Sequence, residues 1–124
     1  ASVDVAGTRF TVCPWWDGPR TREVVDRQLA ADAAVLGDRR WIWVYHAPPD
    51  ASPTSWTGKR HYGDTALSAW IGQYQPAIVL CGHVHQAPFM PDGGWIDRIG
   101  ATTVCVHSFR TRCVSRRLSA SRPR

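Results

Sequence analysis

Two apolar runs constrain this chain more than anything else in it: "WIWVY" at 41–45 and "AIVLC" at 77–81. Each is too short for a helix, rich in β-branched or aromatic residues and free of polar alternation, which is the pattern of a strand buried on both faces. A third run, "TTVCV" at 102–106, predicts a last strand, with "WIDRIG" as its hairpin partner across Gly100. Near the start, "RFTVCPWW" alternates and predicts a strand from Arg9 to Trp15, closed by the turn "DGP". Pro19 then suits the first turn of a helix, where its missing N–H costs nothing. Val25, Leu29, Ala33 and Leu36 follow at spacings of three and four, predicting an amphipathic helix that ends near Gly37, with Glu23 and Arg27 as a solvent-side pair. Asp64 is placed to cap a second helix, Thr65 to Tyr74, with Leu67, Trp70 and Ile71 on one face and Pro76 as the stop. The order strand, helix, strand, helix, strand is the alternation of an α/β fold whose sheet is covered by helices.

Charge is unevenly spread. The chain of 124 residues carries a net charge of +5, but six of its fifteen basic residues lie between Arg110 and Arg124, where there is no acid. Residues 1–109 hold nine basic against ten acidic side chains and are close to neutral. The segment 108–124 lacks periodicity and reads as a basic, disordered tail on a folded unit spanning 1–107. No aromatic residue interleaves the tail's arginines as base stacking requires, so a nucleic-acid-binding module is the disfavoured alternative. No apolar run approaches the roughly 20 residues needed to cross a bilayer, and the start "ASVDVAGTRF" has neither a charged leader nor a Met, so the chain reads as soluble and as beginning mid-protein. Cys13, Cys81, Cys105 and Cys113 are widely spaced without a Cys-x-x-Cys pair, and most sit in apolar runs. They read as small buried hydrophobes in a reducing, cytoplasmic setting.

Both buried runs end in histidine. His46 closes the first, and Gly82-His83-Val84-His85 closes the second. Ligands of open α/β sheets gather at the carboxyl ends of parallel strands, and in an extended backbone residues two apart face the same way. Neighbouring strands would therefore bring His46, His83 and His85 to one rim, with Val84 packed behind. Three imidazoles suit a first-row ion such as Zn²⁺, Mn²⁺ or Fe²⁺ better than Mg²⁺ or Ca²⁺. Taken alone, a His-x-His pair is more often an ordinary surface or core feature than a metal site.

The signature "GHVH" after one apolar strand and "YHAPP" after another resemble the last two metal motifs of the calcineurin-like metallophosphoesterases. The wider stretches "CPWWDGP", "WIWVYHAPP", "YGDTALSAWI" and "VLCGHVHQAPF" are similar to a bacterial branch of that family from about Phe10 to Val104. The resemblance implies a four-layer αββα sandwich, of which this chain is the C-terminal half. It also implies a centre of two divalent ions (Mn, Fe or Zn) that hydrolyses phosphomonoesters or phosphodiesters. By motif position, His46 and His83 would hold one ion and His85 the other.

The chain departs from that pattern in its acidic ligands. It has no Asp-x-His, no bridging Gly-Asp and no Asn-His pair, and with the last of these the family's general-acid histidine is missing too. The Gly-Asp in "YGDTAL" reads as a helix cap. The expectation is a fragment that binds at most one ion unless a missing N-terminal segment or another chain completes it. A non-catalytic metal- or phosphate-binding remnant is the alternative. In the long loop "APPDASPTSWTGKRHYG", Arg60 and His61 are the candidate phosphate-binding residues, with Lys59 and Tyr62 beside them. Gln86 could support a ligand, Trp15, Trp16, Trp41, Trp43 and Trp70 read as packing residues, and His107 has no predicted role.

Overall fold

The computed structural model describes residues 1–14 and 19–107. They form a mixed α/β fold: a six-stranded sheet with two helices against it. The strands are β1 (Ser2–Val5), β2 (Thr8–Val12), β3 (Arg40–Val44), β4 (Ile78–Cys81), β5 (Ile96–Ile99) and β6 (Thr102–Val106), and the helices are α1 (Pro19–Val35) and α2 (Thr65–Tyr74). The sheet order is β1-β2-β3-β4-β6-β5. The four inner strands run parallel, and β1 and β5 close the two edges as antiparallel hairpin arms. Among the described residues no helix is long and apolar enough to cross a membrane.

The predicted elements appear with two differences at the N-terminus. The strand expected from Arg9 to Trp15 stops at Val12, and Trp15 and Trp16 lie outside the described residues, as do Cys113 and the tail 108–124. It also gains a partner the sequence did not announce. Ala6 and Gly7 both take positive φ (48° and 78°), the type I′ geometry that matches strand twist, and so fold Ser2–Val5 back onto Thr8–Thr11.

The connections β2-α1-β3 and β3-α2-β4 step the same way across the sheet, so right-handed crossovers place both helices on one face. That face is the core. Val25 and Leu29 of α1 and Leu67, Trp70 and Ile71 of α2 pack on Trp41, Trp43, Tyr45, Val79, Cys81, Val104 and Val106. Trp41 and Trp43 meet edge to face at 5.2 Å, and each makes a similar contact with Tyr74. Trp70 Nε1 donates to Asp26 Oδ1 at 3.0 Å and ties the two helices together. Asp32 of α1 is the polar anchor against the sheet, accepting from Ser2 and Thr11 hydroxyls and from Arg9 at 2.9 Å. Arg9 in turn pairs with Asp4. Burial pushes the Asp32 carboxyl up, but the hydrogen bonds from Arg9, Ser2 and Thr11 and the Arg9 charge together hold it below the usual value.

The opposite face of the sheet is apolar as well. The registers align Val3, Phe10, Ile42, Ile78 and Thr103 in one row across the strands. They align Val12, Val44, Leu80, Cys105 and Ile96 in the next. Val3, Val12, Leu80 and Ile96 are 54%, 44%, 41% and 64% exposed. Single exposed apolar residues are ordinary, but rows of them aligned across a sheet form a contiguous apolar patch.

Asp32→Ala strands three donors in a mostly buried site and should cost about 3 kcal/mol in denaturant unfolding. Because the folded-state pKa is depressed, the contribution of Asp32 is fully present above the unfolded value and is lost as pH falls through the folded one. Unfolding free energy should therefore drop below about pH 4, and Asp32→Asn should flatten that drop. The two core tryptophans should behave differently. Trp41 Nε1 donates to Thr11 Oγ1 at 2.8 Å, whereas Trp43 Nε1 is buried with no partner among the described residues. Thermal unfolding should show Trp41→Phe to be the more damaging of the two by about 1 kcal/mol.

Candidate functional site

The parallel ladder continues past the formal ends of the strands and holds the candidate residues in place. Cys13 N donates to Val44 O, Tyr45 N to Leu80 O, Gly82 N to His46 O and His107 N to Cys81 O, all at 2.8–3.0 Å. Residues that follow β2, β3, β4 and β6 are thereby lined up along one edge, the carboxyl edge where α/β sheets bind ligands.

On that edge His46 Nε2 lies 3.0 Å from His83 Nδ1, with the two rings tilted by 57°. Burial, and then the neighbouring His83, hold the His46 imidazole below its usual pKa, which favours the neutral ring with a lone pair to donate. The contact is a hydrogen bond between the two rings, and the same spacing is compatible with metal ligation. Two nitrogens bound at about 2.1 Å lie roughly 3.0 Å apart when cis on an octahedral ion and about 3.4 Å apart on a tetrahedral one. Among the described residues no group of three or more His, Cys, Asp or Glu side chains is arranged to hold a metal.

His85 is positioned differently from the expectation. The strand stops at Cys81, and His83 takes a positive φ of 67°, a left-handed conformation that is costly for a residue with a Cβ. An alternating extended backbone therefore does not carry His83 and His85 to a common side. His83 turns to His46, Val84 is buried behind it as expected, and exposed His85 is not among the residues that line the adjacent pocket.

That pocket, about 290 Å³, is lined by Arg22 from the first turn of α1, His46, His83, Tyr62, Asp64 and Thr65. Asp64 is the predicted cap: its Oδ1 accepts from the Ala66 and Leu67 amides, and its Oδ2 from the Tyr45 hydroxyl at 2.6 Å. Burial and then Asp64 push the Tyr45 hydroxyl up, so it remains a donor. The long loop is anchored back on itself beside the pocket, with Asp64 N bonded to Pro48 O and Asp50 N to Asp64 O. Gly63 makes this possible, since a Cβ there would sit 2.5 Å from the Asp50 Cα.

The loop candidates divide. The Arg60 guanidinium lies over the Tyr62 ring at 4.8 Å, and Tyr62 packs on His83 at 5.5 Å. His61 is turned to the loop itself, Nδ1 at 3.0 Å from Ser55 Oγ and its ring against Trp56. Lys59 and Gln86 are exposed. Arg22 was not singled out by its sequence, which reads only as the first turn of an amphipathic helix. Nothing short of the crossover that lays α1 beside His46 identifies it.

A shallower groove on the same edge, about 410 Å³, is lined by Cys13, Cys81, Gly82, His107 and His46. Burial pushes the Cys13 and Cys81 thiols up to about 12, so neither is a thiolate ligand or nucleophile at neutral pH.

No protein-family model matches the chain, and no curated protein does. Solved structures do share its fold. One crystal structure aligns with a TM-score of 0.64 at 18% identity, over 85% of this chain and 42% of its own length. The crystal structure of TT1561 of Thermus thermophilus aligns with a TM-score of 0.56, also at 18% identity, over 86% of this chain and 47% of its own. The chain spans less than half the length of these solved structures, and at such identity the likeness is one of fold.

Proposed function

We propose that this chain is the histidine-bearing half of a metal-dependent phosphoesterase. The observation that carries the reading is the meeting of His46 and His83, from the ends of adjacent parallel strands, at ligand spacing beside a pocket that holds an arginine. His46 and His83 would hold a divalent ion (Mn, Fe or Zn), with His85 left to a second ion in the complete site. Bound there, such ions polarise water and offset charge on a phosphate ester. The chain's own residues orient that chemistry: Tyr62 packs on the His83 ring and the sheet ladder fixes His46. Among the described residues the one carboxylate lining the pocket, Asp64, is engaged in capping α2 and accepting from Tyr45. That engagement favours, as a second reading for the chain by itself, a metal- or phosphate-binding remnant that turns nothing over. Free Cys13, Cys81 and Cys105 suit a reducing, cytoplasmic setting.

The four-layer sandwich belongs to the same proposal. A second sheet, from residues preceding this chain or from another chain, would cover the open apolar face. Its two apolar rows and the chain's short span of the similar solved structures support that reading.

Zn²⁺ and Mn²⁺ titrations followed by calorimetry should give a bound ion in the wild type, with affinity reduced more than about tenfold by His46→Ala or His83→Ala. Turnover of p-nitrophenyl phosphate should require the upstream segment. Wild-type protein that is folded and binds no ion would sink the metal reading. A hydrophobic dye should bind the 124-residue chain strongly and a longer chain carrying the second sheet weakly. Leu80→Lys should suppress dye binding to the short chain, with a change in its stability within about 0.5 kcal/mol.

A further inference from the structure

Among the described residues the pocket lining carries one carboxylate and one permanent cation. Asp64 brings the negative charge, but its oxygens already accept from two backbone amides and from the Tyr45 hydroxyl. Arg22 is the one permanent cation among the described residues that line the pocket. Thr65, the first residue of α2, adds a hydroxyl to the same wall. The two loop residues that the sequence offers for phosphate do not line the pocket: Arg60 lies over the Tyr62 ring, and His61 is turned to Ser55 and Trp56.

We propose that Arg22 is the oxyanion-recognition residue of this pocket, binding a phosphate-sized anion beside the His46–His83 pair with the Thr65 hydroxyl as a second donor. A guanidinium presents a planar fork that matches two oxygens of a tetrahedral oxyanion, and it remains charged at any working pH. Carried on a helix rather than on the long loop, its backbone is fixed before the ligand arrives, which lowers the entropic cost of binding. A pocket of about 290 Å³ takes a phosphate group with a small organic remainder. The inference rests on the site's being a phosphate-handling one, but it requires neither a bound ion nor turnover.

The test is titration of inorganic phosphate into the full 124-residue chain, stripped of metal with a chelator, by calorimetry and ³¹P NMR. Wild type, Arg22→Gln, Arg22→Lys and Arg60→Gln are compared after circular dichroism has verified folding. The expected result is saturable phosphate binding at millimolar concentration, weakened about tenfold or more in Arg22→Gln. Binding should be partly retained in Arg22→Lys and unchanged in Arg60→Gln. Should Arg22→Gln fail to fold, a weakening in Arg22→Lys supports the proposal in its place. Phosphate binding that is absent from the wild type, or equal in wild type and both Arg22 variants, overturns the proposal. A parallel Zn²⁺ titration separates the two readings: phosphate binding that depends on Arg22 in a protein that takes no ion supports Arg22 and sinks the metal reading.

Discussion

Parallel pairing of β3 with β4 is the constraint on which the rest depends. Two parallel strands cannot be joined by a turn, so the chain must leave the sheet, cross one face as α2 and return. That crossover gives β3 and β4 the same direction and brings their ends to the same edge. The ladder runs on through Tyr45 N to Leu80 O and Gly82 N to His46 O, which fixes the backbone from which both histidines project. The histidine pair is thus a consequence of sheet registry, stiffened by the same hydrogen bonds that hold the core strands.

The helix layer supports this arrangement from below. Aromatic bulk from Trp41, Trp43, Tyr45, Trp70 and Tyr74 fills the space between sheet and helices, so few large side chains do the work of many. Asp32 and Asp26 then fix α1 at two points, one against the sheet and one against α2. The position of α1 sets the position of Arg22. The pocket's cation is therefore coupled to the core through the helix that carries it.

The two sheet faces meet different fates, and this bears on function. The face under the helices has its apolar area removed from water. The other carries aligned apolar rows in which Val3, Val12, Leu80 and Ile96 remain exposed. A strand apolar on both sides is normal in a sheet covered on both sides. The mismatch between strand composition and observed cover is the physical ground for the second sheet proposed above.

The sequence by itself determined the local elements. Continuous apolar runs announced β3 and β4, the spacing of Val25 and Leu29 announced α1, and Asp64 marked the start of α2 to the residue. It missed β1, because the hairpin turns on Ala6-Gly7 without the usual Asn-Gly or Asp-Gly signal. It also read Gly82-His83-Val84-His85 as an extended continuation, since nothing local marks the left-handed turn at His83. Only the tertiary structure decided which side chains share a site. His46 and His83 are 37 positions apart, and Arg22 stands 24 before His46. Periodicity and capping are contests among near neighbours that the sequence displays directly, whereas the joining of distant residues is settled by strand order and crossover hand, which act through the packing of the whole core.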